Sequence, residues 1–140
     1  MKKLILFVSL IFMSILLSGC GSSSDNQYDY ENDKRTTLFL VDDKGFTYGG
    51  IPYKCDSMTH WSKTKSNGEF TFVQPDTCIF NFNGLRGLYG DGYDDVVLIV
   101  DYTYSGKGNI PYTCQDFGAS STYSDGSFSY NENDECTFYL

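Results

Sequence analysis

Residues 38–82, LFLVDDKGFTYGGIPYKCDSMTHWSKTKSNGEFTFVQPDTCIFNF, and residues 97–140, VLIVDYTYSGKGNIPYTCQDFGASSTYSDGSFSYNENDECTFYL, are two copies of one pattern. Val41-Asp42 in the first answers Val100-Asp101 in the second, and Ile51-Pro52-Tyr53-x-Cys55 answers Ile110-Pro111-Tyr112-x-Cys114. Further on, Thr64-x-Ser66-x-Gly68-x-Phe70 matches Thr122-x-Ser124-x-Gly126-x-Phe128, and Asp76-x-Cys78-x-Phe80 matches Asp134-x-Cys136-x-Phe138. The alignment slips once, by one residue, inside the Cys-to-Cys segment. So many matches at a single spacing mark an internal duplication, and a duplication has to be recognised before elements are assigned.

The local pattern is β. Phe70-Thr71-Phe72 and Cys78-Ile79-Phe80-Asn81-Phe82 alternate apolar with other residues around a Gln74-Pro75-Asp76 turn, which is the signature of a hairpin. Phe128 to Tyr130 and Cys136 to Leu140 repeat it around Asn131-Glu132-Asn133-Asp134. Leu38–Asp42 and Val96–Asp101 are apolar runs of the buried-strand type, and no segment has a helical period. Each copy yields about four short strands, too few to bury a core alone, so the copies are expected to pack sheet on sheet. The fold class is therefore all-β: a sandwich of about seven to eight short strands built from two sequence-related halves. An immunoglobulin-like topology is the most populated solution of this size, although its Trp between distant cysteines is met only loosely by Trp61 between Cys55 and Cys78. Pro52 and Pro111 are expected on sheet edges, where no ladder N–H is missed.

The N-terminus has a different character. Met1-Lys2-Lys3 is cationic, Leu4 to Leu17 is apolar apart from Ser9 and Ser14, and Leu17-Ser18-Gly19-Cys20 leads into the polar stretch Gly21 to Asp25. This is an export signal, too short for the roughly 20 apolar residues of a spanning helix. Its end resembles the lipobox of bacterial lipoproteins. The resemblance implies removal of residues 1–19, a diacylglycerol on the Cys20 thiol and a third acyl chain on the new amino group. Two or more chains anchor stably where one is marginal, so the membrane is the first expected partner. An Asp directly after the lipidated Cys resembles an inner-membrane retention signal in enteric bacteria; Gly21 stands there, so the outer membrane is favoured.

Setting Cys20 aside leaves Cys55, Cys78, Cys114 and Cys136, an even set for an oxidising compartment. Four cysteines allow three pairings. Each copy holds one early and one late, which favours Cys55–Cys78 and Cys114–Cys136, with roughly 3 kcal/mol per bridge; the competing pairing joins equivalent cysteines across copies. Residues 20–36, the lipidated Cys and GSSSDNQYDYENDKRT, lack any apolar period and are expected to form a tether of roughly 20–25 Å. Residues 37–140 then form a single domain.

Loss of residues 1–19 removes Lys2 and Lys3 and no acid, so the net charge of -8 becomes about -10. Nucleic acid needs Lys and Arg against its phosphates, and no basic run is present, so nucleic acid is not an expected partner. With its lipobox, acidic tether and paired Ile-Pro-Tyr-x-Cys copies, the chain resembles a group of Campylobacter-type surface lipoproteins. That resemblance implies a variant immunoglobulin-like sandwich and a role near host-cell adhesion, and it carries no functional residues with it.

Few residues suggest chemistry. His60 is the single histidine, and a nucleophile–His–acid arrangement needs three partners, so no enzyme is expected. Gly87 to Asp95 resembles the later half of a calcium loop, with Asp91, the Tyr93 carbonyl and Asp95 as candidate ligands. The earlier ligand positions hold Gly87 and Tyr89, so the segment reads as an acidic connection and no cofactor is expected. Residues 118–130 resemble part of periplasmic inhibitors of C-type lysozyme: Ser120, Ser121 and Tyr123 answer a Ser-Gly-x-x-Tyr pattern. Glu132-Asn133, however, replace the Lys-Gly that those inhibitors use. A basic lysozyme would still be attracted by the negative charge. Tyrosines offer contact area at little entropic cost, and Tyr89, Tyr93, Tyr102 and Tyr104 form the expected binding patch, directed away from the membrane toward a protein or glycan partner.

Overall fold

The computed structural model describes residues 34–87 and 94–140. The expected signal peptide, Cys20, most of the expected tether and the hexapeptide 88–93 lie outside the described residues.

Nine strands form among the described residues, most of them on alternating apolar residues: β1 (Arg35–Val41), β2 (Pro52–Cys55), β3 (Ser62–Lys63), β4 (Glu69–Val73), β5 (Thr77–Asn81), β6 (Leu98–Val100), β7 (Pro111–Cys114), β8 (Gly118–Ser121) and β9 (Glu135–Tyr139). No helix is present among them. The strands form two antiparallel sheets, one in the order β4-β1-β6 and the other in the order β3-β2-β5-β9-β7-β8. Short β3 and β8 take the count past the expected seven to eight. They lie in polar stretches where no alternation announces a strand.

Phe70 and Phe72 of β4, Cys78 and Phe80 of β5, and Cys136 and Phe138 of β9 face one buried interior. The Phe70 ring meets Phe80 edge-on at 4.9 Å, and Phe128 meets Phe138 at 4.8 Å. These contacts correct the hairpin expectation. The turn at Gln74–Asp76 carries the chain from one sheet to the other, so β4 pairs with β1 while β5 pairs with β2 and β9. Alternation reveals that one face is buried, but not which strand lies alongside.

Both disulfides form within a copy, Cys55–Cys78 and Cys114–Cys136. In each, the cysteines sit opposite one another on hydrogen-bonded neighbours in the six-stranded sheet, with Cα atoms 3.9 Å apart. An immunoglobulin domain instead bridges its two sheets and sets four strands against three. Pro52 and Pro111 do not lie on edge strands. Each opens a strand flanked on both sides, and the ladder to β5 or β9 begins one residue later, at Tyr53 or Tyr112.

The register relates the copies to each other. Leu40 pairs with its counterpart Ile99, and Ile79 pairs with its counterpart Thr137. A residue that pairs with its own counterpart marks a local twofold axis, and here one such pair lies in each sheet. Buried side chains repeat about it. The Thr64 hydroxyl donates to the Tyr48 carbonyl and accepts from the Ile51 amide; Thr122 does the same with Lys107 and Ile110.

Candidate functional site

Strand β6 ends at Val100 and runs into a tight loop, closed by a bridge between Val100 and Gly106. The loop is organised by one carboxylate. Asp101 Oδ1 accepts the amides of Thr103 (2.8 Å) and Ser105 (3.1 Å) and the Thr103 hydroxyl (2.6 Å), while Oδ2 lies 3.0 Å from Lys107 Nζ. The Thr103 hydroxyl and Lys107 hold this carboxyl well below the usual carboxylate range. Tyr104 takes a left-handed φ of 62° and its amide returns to the Asp101 carbonyl at 2.9 Å. The outcome is two tyrosines held out in solvent, Tyr102 at 82% and Tyr104 at 67% exposure. Asp42 builds the counterpart loop with the Lys44 and Phe46 amides and leaves Phe46 71% exposed. Large exposed aromatics on braced turns suit recognition, because the backbone is already ordered and each such side chain has only two torsions to fix.

The connection between the copies is pinned where it meets the sandwich. Asp95 Oδ2 accepts the Arg86 amide at 2.8 Å, and the Asp95 amide donates to the Gly87 carbonyl at 3.1 Å. Two phenols hold the returning strand: Tyr130 donates to the Asp95 carbonyl and Tyr48 to the Val96 carbonyl at 2.9 Å. Burial, helped by the charge of Asp95, pushes the Tyr48 phenol up to about 12. Burial raises Tyr130 as well, with Tyr48 and Asp95 beside it. Gly87 has a φ of +83°, and a Cβ there would lie 2.5 Å from the Tyr130 carbonyl oxygen, so this turn requires glycine.

Of the expected site residues, Tyr89, Tyr93 and Asp91 lie outside the described residues. Asp95, the remaining calcium candidate, spends one carboxylate oxygen on the Arg86 amide. Tyr102 and Tyr104 do not sit beside the neck of the connection. The connection enters β6 at its Leu98 end, and the two tyrosines leave at the Val100 end. Because β6 runs antiparallel to β1 and Val100 pairs with Phe39, their loop lies toward Arg35, where the chain enters the domain, and not away from it. His60 and Trp61 lie in the exposed link between β2 and β3. Ser120 and Ser121 belong to the outer strand β8, and Tyr123 is 56% exposed.

Two groups of a carboxylate and two sulfurs, Cys55-Asp76-Cys78 and Cys114-Asp134-Cys136, have metal-like spacing. Their sulfurs are joined in disulfides and their carboxylates are surrounded by donors from the protein, so they are structural. Sequence reasoning missed a cleft of about 350 Å³ beside the tyrosine loop, between Leu38 and Phe72 on one side and Ile110 and Leu140 on the other, with Lys107 and Tyr139 along it. No protein family matches the chain, and neither does any curated protein or solved structure.

Proposed function

We propose that the chain is a lipid-anchored, non-enzymatic interaction protein of the bacterial envelope, held through Cys20 in the outer membrane and engaged in binding at a cell surface. The observation that carries this reading is the loop of Tyr102 and Tyr104, where a carboxylate network braces two aromatics that contribute nothing to the core. A structural role would bury those rings; exposing them on a rigid turn serves contact with another molecule. Host-cell adhesion is the role the lipoprotein resemblance implies. Mature chain carrying Cys20→Ser, used as bait against host-surface and envelope fractions, should capture a partner that Tyr102→Ala plus Tyr104→Ala releases. Equal capture by the double variant rejects this surface.

Inhibition of a lysozyme-type enzyme is the second reading, favoured by the accessibility of Ser120, Ser121 and Tyr123 on one outer segment. It predicts that the soluble chain protects cell walls from C-type lysozyme. Unchanged lysis at a molar excess of the chain rejects it.

A further inference from the structure

The local twofold axis gives the cleft a closed counterpart. There, Tyr48 packs its ring against the core with Leu85 of the connection, and its hydroxyl reaches the Val96 carbonyl. Tyr130 closes the same region by bonding the Asp95 carbonyl. On the open side the sequence has Lys107 where the first copy has Tyr48, and Phe72 where the second has Tyr130. One ring and two hydroxyls are thereby lost. The apolar walls register the loss: Phe72 and Leu38 are 4% and 6% exposed, whereas their counterparts Tyr130 and Val97 are both at 0%. Ile110 and Leu140 are only half-buried, while Ile51 and Phe82 opposite them are buried. The cleft's volume of about 350 Å³ falls within the range of ligand pockets, about 300–1,000 Å³.

We propose that this cleft receives a tyrosine side chain presented by a partner polypeptide, with an acidic residue next to it. The ring follows from the template: the same backbone arrangement on the other side of the axis is filled by a phenol of this very chain. The acidic neighbour follows from charge. Among the described residues Lys107 is the one charged side chain along the cleft. It contacts Asp101 at 3.0 Å and remains 41% exposed. An ammonium has three donors, so a partner carboxylate can share it with Asp101. Tyr139, half exposed, adds an aromatic edge at the rim, and the braced loop of Tyr102 and Tyr104 leads directly into Lys107, which makes the cleft continuous with the exposed aromatic surface. The assignment rests on the reading of the domain as an interaction module and narrows the chemistry of its partner.

Three blocked dipeptides test it by NMR titration of the mature Cys20→Ser chain: N-acetyl-Tyr-Glu-amide, N-acetyl-Leu-Glu-amide and N-acetyl-Tyr-Lys-amide. The first should shift the amides of Leu38, Ile110 and Leu140, and the other two should bind at least about tenfold more weakly. Lys107→Tyr should fill the cleft with the chain's own ring, abolish binding and raise the thermal midpoint. Lys107→Ala should keep the preference for Tyr over Leu and lose the preference for Glu over Lys. Equal binding of the Leu and Tyr peptides, undiminished binding by folded Lys107→Tyr, or shifts confined to other regions would overturn the assignment. Failure of all three peptides would overturn it too, while capture in the pull-down, which does not depend on the cleft, would leave the interaction reading intact.

Discussion

Asp134 stands to the Cys114–Cys136 bridge as Asp76 stands to Cys55–Cys78. Each lies two residues before the second cysteine and takes four donors from its own copy. Asp134 accepts the amides of Asp116 and Phe117 at 3.0 Å, Asn131 at 3.1 Å and Glu135 at 2.9 Å. Asp76 accepts the amides of Val73 and Ser57 at 3.3 Å and Thr77 at 3.0 Å, together with the Ser57 hydroxyl. Each carboxylate thus fastens the turn between the sheets to the chain following the first cysteine.

Removing one of these carboxylates strands several amides at once. Asp134, 1% exposed, is the more sheltered. Asp134→Ala is expected to cost about 3–5 kcal/mol in urea unfolding with disulfides intact, since each unsatisfied buried donor costs about 1–3 kcal/mol before water enters. A cost under about 1 kcal/mol would show that the network adds little.

Acid should weaken the fold through Asp76. Burial alone would raise its carboxyl, but the Ser57 hydroxyl and the surrounding amides outweigh burial and hold it below the usual range. A depressed folded value means that the contribution is complete above the unfolded carboxylate value, about 3.9, and is lost as pH falls through the folded one. Chemical denaturation from pH 6 down to pH 2 should show falling stability, with a smaller fall in Asp76→Asn.

Alkali should act through the two phenols that hold Asp95 and Val96. Tyr48, raised to about 12, contributes stability that is complete below the ordinary tyrosine value of 10.0 and disappears as pH rises through about 12. Ultraviolet titration should show at least two tyrosines ionising late, and Tyr48→Phe should remove one of them at a stability cost of about 1 kcal/mol. Ordinary titration of every tyrosine would contradict the clamp.

Glycines of similar φ should differ sharply in tolerance. A Cβ on Gly68 would lie 2.2 Å from the Leu40 carbonyl oxygen, and one on its counterpart Gly126 would lie 2.1 Å from that of Ile99. Gly45, at φ +86°, has nothing within 4 Å. Gly45→Ala should cost about 1 kcal/mol, whereas Gly68→Ala or Gly126→Ala should cost about 4 kcal/mol or more, or prevent folding. Thermal midpoints of the three variants decide it.

The N-terminus makes an independent prediction. Intact mass of the envelope-extracted protein should correspond to a chain starting at acylated Cys20, and Cys20→Ser should release it to the soluble fraction. An unmodified start would rule out the anchor.

The duplication, the β character and the disulfide pairing were legible in the residues themselves, because alternation follows from the pleat and a repeat needs no geometry to be seen. Matched Cys55/Cys78 and Cys114/Cys136 pointed to bridges within each copy because every copy carries one complete set. Which strand lies beside which was not legible: Phe70-Thr71-Phe72 and Cys78-Ile79-Phe80 look like a hairpin on paper, yet they face each other across the core from different sheets. The weight of Asp76 and Asp134 was hidden for the same reason, since a turn carboxylate looks alike whether it meets water or, besides two local amides, two donors brought from a segment well removed in sequence. The tertiary structure alone separated Tyr102 and Tyr104 from the described end of the inter-copy connection, because antiparallel pairing of β1 with β6 sends the two ends of β6 in opposite directions. It alone also made the Lys107-for-Tyr48 exchange visible as a cleft: a missing ring leaves space only where the surrounding backbone is already held in place by the other half of the fold.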